Sequence, residues 1–251
     1  MSSLERVRSE FVASWHSFLR RRTAVFFTFF FPAIIVVIFG ALVQTQPTGG
    51  GLFAEPKEYY IAGYLAVVVL FTPLSRVGST IARHRDGNRF EKLATTPLTR
   101  SEWLLAHSLV NVVIIGLAAL LLLGLSVLVT GASVPLSLAT LALVPFIALG
   151  VTLFCGLGAI IGSVAGSQDG VIAASNAIAL PLLFLSDTFV TPALLPAWFQ
   201  PALNLSPLTY FARGVRALTY SGGEWVGNLV ILAALAVAFF VVGTVAIPQT
   251  D

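Results

Sequence analysis

The chain has 251 residues, 57% of them hydrophobic and 10% charged, with a mean hydropathy of +0.93. A soluble domain carries about 25% charged residues, so a soluble globular protein, a disordered chain and a free-standing nucleic-acid binder are all excluded, and a polytopic membrane protein remains. The formal charge of +3 needs no nucleic-acid partner, because a few arginines at one face of a membrane protein produce it.

Residues 3–22 predict an amphipathic helix. Leu4, Val7, Phe11, Trp15, Phe18 and Leu19 recur at three- and four-residue spacing between arginines, and Ser2 with Glu5 fits a capping box. An aromatic face with nothing soluble to pack on favours an interfacial helix lying in the membrane plane over residues 1–24. Charges at Glu5, Arg6, Arg8, Glu10 and Arg20–Arg22 precede any long apolar run, so a cleavable signal peptide is not expected.

Spans follow from the charge-free intervals 23–54, 59–75, 103–168, 170–186 and 225–247. The third is too long for one crossing of about 20 residues, and Thr130-Gly131-Ala132-Ser133 with Pro135 supplies its turn. The expected fold is an all-α polytopic membrane protein with six transmembrane helices, near 25–45, 58–83, 102–130, 135–164, 170–188 and 225–247. The runs are continuously apolar, without the period-two alternation of barrel strands. The whole chain forms one transmembrane domain: spans one to five within 25–188, an outer segment 189–224, and span six with a tail over 225–251.

Lysine and arginine counts set the orientation. Arg6, Arg8, Arg20, Arg21 and Arg22 lie in residues 1–24, and Arg83, Arg85, Arg89, Lys92 and Arg100 in the loop 83–101. The other connections hold Lys57, Arg213 and Arg216. Both termini and the 83–101 loop are therefore expected in the cytoplasm.

The loop from Arg83 to Arg100 is the longest cytoplasmic connection. Residues 88–95 can form a short helix, closed because Pro97 restricts Thr96, and Thr99 with Glu102 makes a second capping box at the start of span three. Within the short helix, Phe90 and Leu93 lie three apart and share an apolar edge. On composition two readings stay open: a helix that docks a partner, or a solvated loop held near anionic lipid by its arginines.

Segment 189–224 is too apolar for a solvated loop. Thr191 and Ser206 each precede a proline, the pattern of a helix start, which predicts short helices over 192–203 and 207–219. Too short to span, they are expected to enter the membrane from outside and return. Tyr210, Arg213 and Arg216 follow Pro207 at three-residue spacing on one broad face, and Arg216 is expected to pair with Asp187 or Glu224 and to shape an outer gate.

Catalysis is not expected. The two lysines, Lys57 and Lys92, follow no glycine-rich loop, so there is no P-loop for ATP. The histidines His16, His84 and His107 are scattered, the sole cysteine is Cys155 in an apolar run, and neither a catalytic pair nor a metal site emerges. Arg76 lies within the second span, where it either snorkels or lines a polar path. A secondary transporter or channel is the rival reading, although ionisable residues are scarce inside the spans.

Two stretches carry a resemblance. Phe90-Glu-Lys-Leu-Ala-Thr-Thr-Pro-Leu-Thr-Arg-Ser-Glu-Trp103 resembles the loop after the second helix in ABC-2 type transporter permeases, and residues Pro196 to Leu218 resemble that family's segment before its last helix. The likeness is closest to the drug-exporter and nodulation-type subgroup. Gly87-Asn88 stands where the family often has Gly-Thr, and Ser206-Pro207 where it often has Asn-Pro. The resemblance implies a non-catalytic membrane subunit that uses ATP and Mg bound to a separate ABC ATPase. Its partners would be that ATPase, membrane lipid, and a second copy of itself or a paralogous permease, in the plasma membrane. The loop helix would be the coupling helix, with Arg89, Phe90, Glu91, Leu93, Thr96 and Pro97 at the ATPase contact. Pro207, Tyr210, Arg213 and Arg216 would belong to an outer re-entrant gate. The implied activity is export of a hydrophobic drug, lipid or lipid-linked saccharide.

Overall fold

The computed structural model describes residues 2–38, 55–135 and 137–248. Nine α-helices make up the described residues: α1 Ser3–Leu19, α2 Arg22–Val36, α3 Ile61–Asp86, α4 Arg89–Ala94, α5 Arg100–Thr130, α6 Leu143–Val164, α7 Gln168–Phe184, α8 Pro207–Arg216 and α9 Val226–Ala246. Short 3-10 turns lead into α3 (Lys57–Tyr60) and α6 (Leu138–Ala142), and a π turn over Ala217–Ser221 extends α8. No strand occurs among the described residues.

Four helices, each taken with any leading 3-10 turn, are long and apolar enough to cross a membrane: Lys57–Asp86, Arg100–Thr130, Leu138–Val164 and Val226–Ala246. Arg22–Val36 and Gln168–Phe184 are shorter apolar helices. The last third of the expected first span, 39–45, and most of the connection after it fall outside the described residues.

α3 is the central helix, packed by α5, α6, α7 and α8, while α9 leans on α6 and α8. In its most apolar stretch 72% of α3 is buried, against 17% of α9. The outward side chains are themselves apolar, including Leu120, Leu128, Val144, Val230 and Val237. A surface of this kind requires lipid or protein around it. Small residues permit the close helix crossings. A Cβ at Gly156 of α6 would collide with Phe239 O of α9, and one at Gly243 would lie 2.6 Å from Gly156 O, so backbone meets backbone there.

Polar side chains sort to the two ends of the bundle. At one end Arg85 donates to the carbonyls of Ser163 (3.2 Å) and Ala165, and Arg100 donates to Val245 O (3.1 Å). Cations thus satisfy free carbonyls at the C-terminal ends of α6 and α9. At the other end Lys57 Nζ donates to Thr130 O at 2.8 Å, and Ser133 N donates to Glu58 Oε1 at 3.2 Å. The helix 88–95, the Ser2–Glu5 and Thr99–Glu102 capping boxes and the turn at 130–133 all stand as read from sequence.

Two expectations are corrected. The single helix over 192–203 is instead two 3-10 turns, Pro192–Leu194 and Gln200–Leu205. Pro196 and Pro201 interrupt the ladder, since proline lacks an N–H and crowds the preceding turn. The aromatic face of α1 does have protein to pack on: Phe18 is buried with Val110 and Ile114 of α5, and Phe11, Trp15, Val25 and Phe29 close around them. Leu4 and Leu19, placed on that face by spacing, are 79% and 46% exposed.

Candidate functional site

Polar and aromatic side chains converge at both ends of α3. Its 26 residues separate the two clusters by about 39 Å at 1.5 Å per residue.

The first cluster surrounds α4. Asn88 enters it with φ of 49°, a left-handed conformation that asparagine tolerates. Pro97 and the capping box at Thr99 then start α5, so α4 is a single short turn of helix between two long ones. Phe90 is 4% exposed, its ring 6.0 Å from Trp103 of α5 and 5.6 Å from His84 of α3. The exposed apolar docking edge predicted from Phe90 and Leu93 is therefore absent. Phe90 is buried within this chain, and Leu93 is partly buried against the same core. A six-residue helix cannot leave a phenyl ring in water when Trp103 lies one turn into the next helix. Arg89, Glu91, Lys92, Thr96 and Pro97 are exposed.

The ring stack continues into α1. Trp103 lies 4.0 Å from His107, whose Nε2 is 3.2 Å from Glu10 Oε1 and whose Nδ1 is 3.4 Å from Ser14 Oγ. A carboxylate only accepts, so His107 Nε2 carries the proton toward Glu10. Arg89 Nη1 lies 3.5 Å from His84 Nε2. One turn earlier on α5, the Glu102 carboxylate accepts from Arg6 Nε (2.9 Å), Arg6 Nη2 (2.5 Å), Ser3 Oγ (2.5 Å) and Thr99 N (2.9 Å). The residue that caps α5 thus also clasps the N-terminus of α1. Beside α4, a groove of about 670 Å³ opens between Leu93, Thr96, Leu98, Trp103, Val245 and Pro248.

The second cluster surrounds α8. Pro207 starts the helix, while Ser206 Oγ donates to Leu182 O at 2.9 Å instead of capping it, which ties α8 to the end of α7. Leu208, Phe211, Ala212 and Val215 are fully buried among α3, α6 and α9. Asp187 is 2% exposed. Its Oδ2 accepts from Arg213 Nε at 2.7 Å, and Arg216 Nη1 lies 3.8 Å from its Oδ1. Arg216 Nη2 donates to Asp187 O at 2.6 Å, and its guanidinium stacks on the Tyr59 ring at 3.7 Å. Tyr210 Oη donates to Asn204 O at 2.9 Å, and Arg213 Nη1 to Asn204 Oδ1 at 2.8 Å.

The structure therefore brings Tyr210, Arg213 and Arg216 together and gives Arg216 Asp187, not Glu224, as partner. Tyr59 leaves no mark in the sequence because its contact joins distant segments, and Asn204, although only six and nine residues from Tyr210 and Arg213, lies outside the helix whose spacing is read. The Arg6–Glu102 clasp was hidden for another reason: Glu102 had already been accounted for as a cap.

An all-helical bundle with four apolar helices of crossing length, and a small charged helix slung between two of them, describes a polytopic membrane protein. The family model for ABC-2 type transporters matches residues 6–220. The chain belongs to the ABC-2 type transporter family. It is 29% identical over 200 residues to the daunorubicin resistance ABC transporter permease protein DrrB1 of Streptomyces coeruleorubidus, covering 76% of this chain and 69% of that protein. It is 25% identical over 204 residues to the putative transport permease ycf38 of Porphyra purpurea, covering 77% of this chain and 66% of that protein.

Proposed function

We propose that this chain is the membrane permease of an ABC exporter driven by ATP and Mg on a separate ABC ATPase, with α4 as the element the ATPase moves. The observation that carries the reading is the mounting of α4. Its outer face offers Arg89, Glu91, Lys92, Thr96 and Pro97, while Phe90 locks it to α3 and α5 and, through Trp103 and His107, to α1. A push on that face reaches three helices at once, which is what a bistable transport unit requires. Phe90 is then a positioning residue, and the exposed groups make the contact.

In this reading α2 and α7 complete six spans, both termini and α4 lie in the cytoplasm, and the chain sits in the plasma membrane. The cations at the α4 end support that orientation. The exposed Phe26, Phe27, Phe30 and Phe31 of α2 suit a second copy of the chain or a paralogous permease. The α8 cluster, with Pro207, Tyr210, Arg213 and Arg216, closes the outer end of the path. The name of the Streptomyces relative supports a hydrophobic drug as cargo, with lipids and lipid-linked saccharides as the other candidates of suitable chemistry. The test is co-purification of the partner ATPase, followed by ATP hydrolysis in nanodiscs with candidate cargo. Cargo-stimulated hydrolysis that needs this chain is expected. Transport that proceeds without any ATPase would instead establish a secondary transporter or channel.

A further inference from the structure

Arg76 is the one ionisable residue in the middle of α3, and among the described residues no acid pairs with it. Nη1 is buried without a hydrogen-bond partner. The guanidinium lies over the Phe18 ring at 4.4 Å, at the α1 end nearest the elbow into α2. The Cys155 thiol of α6 lies near it, and the charged groups within electrostatic range are Arg21, at that elbow, and Arg83, two turns further along α3. Arg83 itself donates to Thr80 Oγ1 at 2.9 Å and faces Arg21 and Arg89. Among the described residues, none of Arg21, Arg76 and Arg83 forms an ion pair.

Three guanidinium groups of one sign around a partly desolvated centre repel one another, and a buried donor nitrogen without an acceptor costs free energy. The molecule meets this need elsewhere with its own acids: Asp187 serves Arg213 and Arg216, and Glu102 serves Arg6. No described carboxylate does the same for Arg76, and an anion from outside the chain can. Planar guanidinium groups match the paired oxygens of a phosphate. The elbow itself fixes the depth, because an amphipathic helix in the interface lies at the level of lipid headgroups. Exposed Phe26, Phe27 and Phe30, within the first turns of α2, offer apolar surface for acyl chains beside that point.

We propose that Arg21, Arg76 and Arg83 form a phosphate site at the α1–α2 elbow, occupied by the headgroup of an anionic glycerophospholipid of the same leaflet. The lipid supplies the missing counter-charge and pins the elbow against α3. The proposal rests on the reading of α1 as an interfacial helix of a permease, but its test needs no ATPase and no cargo, so the two can fail separately.

The full chain is purified in detergent, stripped of lipid and titrated by native mass spectrometry with dioctanoyl phosphatidylglycerol, with dioctanoylglycerol, which has the same chains and no phosphate, and with inorganic phosphate. The phosphatidylglycerol adduct is expected, the dioctanoylglycerol adduct is not, and equimolar inorganic phosphate should not displace the lipid. Arg76→Gln should weaken the adduct about tenfold or more, since a charge-assisted hydrogen bond is lost. Arg83→Gln should weaken it severalfold and carries the same test if Arg76→Gln does not yield folded protein. Arg8→Gln, on an exposed part of α1, should bind like the parent. Equal binding of dioctanoylglycerol, parental binding by Arg76→Gln or by Arg83→Gln, or an equal loss in Arg8→Gln overturns the site. Displacement by equimolar inorganic phosphate overturns the lipid as its occupant.

Discussion

At the α4 end, the carboxylates of Glu10 and Glu102 each meet a single cationic or ionisable partner, His107 and Arg6, and in each pair one member, Glu10 or Arg6, stays partly open to water. At the α8 end, one carboxylate, Asp187, is shut away from water and takes two arginines, one of them also stacked on Tyr59. A pair with one member open to water contributes less and separates at smaller cost. A buried pair that loses one member leaves a stranded charge. The α1–α4–α5 clasp is therefore built to come apart and re-form, whereas α8 is fixed to the end of α7. If α4 is the element an ATPase moves, as proposed, the looser joints lie where force enters.

The strongest way to break this contrast is Asp187→Ala. It leaves Arg216, which is 8% exposed, without its counter-ion, and should cost about 3 kcal/mol. The loss should appear as a lower midpoint of thermal unfolding in detergent, and Asp187→Asn, which keeps an acceptor for Arg213, should lose less. A parental midpoint for Asp187→Ala would mean that α8 is held by its apolar face alone. Phe90→Ala comes next, at about 1.5–3 kcal/mol for the removal of a buried ring. The damage should be local: faster amide exchange over 88–99, weaker capture of the ATPase, and a largely intact bundle. Unchanged exchange across α4 would show that Phe90 does not hold it.

Much of this fold could be read because it is written in local patterns. Charge-free intervals located the apolar helices, and Ser2 with Glu5 and Thr99 with Glu102 marked two helix starts correctly. The sequence misled where a residue's partner lay far along the chain. Phe90 and Leu93 at three-residue spacing look like a free apolar edge, yet Trp103 covers Phe90. Thr191-Pro192 and Ser206-Pro207 look alike, yet only the second starts an α-helix, because Pro196 and Pro201 break the first. The partner of Arg216 is narrowed by sequence to Asp187 or Glu224, but Tyr59 comes from the turn that leads into α3, where no spacing rule reaches.

The Arg6–Glu102 clasp is weaker than either of these contacts, because Arg6 reaches the carboxylate from a wet surface. Arg6→Ala should leave the unfolding midpoint almost unchanged and make residues 2–20 more accessible to protease. High salt should produce part of the same change in the parent, since screening acts on exposed pairs. If Arg6→Ala is cleaved at the parental rate, the aromatic contacts of Phe18 hold α1 without the clasp.

The smallest effect belongs to Glu10. Burial by itself would raise the pKa of its carboxyl group, but the hydrogen bond and charge of His107, with His84 and then Arg89 further off, outweigh it and hold the pKa below the ordinary value. Since the folded pKa lies below the unfolded value of about 4.3, the ionised group's contribution is complete above pH 5. It is lost as the pH falls through the lowered folded pKa. Glu10→Gln should therefore loosen α1 by about 0.2–1 kcal/mol at pH 7, the range of a partly exposed pair. Amide exchange along α1 should show it as modestly faster exchange at pH 7 in Glu10→Gln, with the gap from the parent closing only as the pH falls through the lowered folded pKa and the parent's carboxylate becomes protonated too. A gap that persists at that pH would place the effect in side-chain packing rather than in charge, and the α4 end would then hold its helices by the same means as the α8 end.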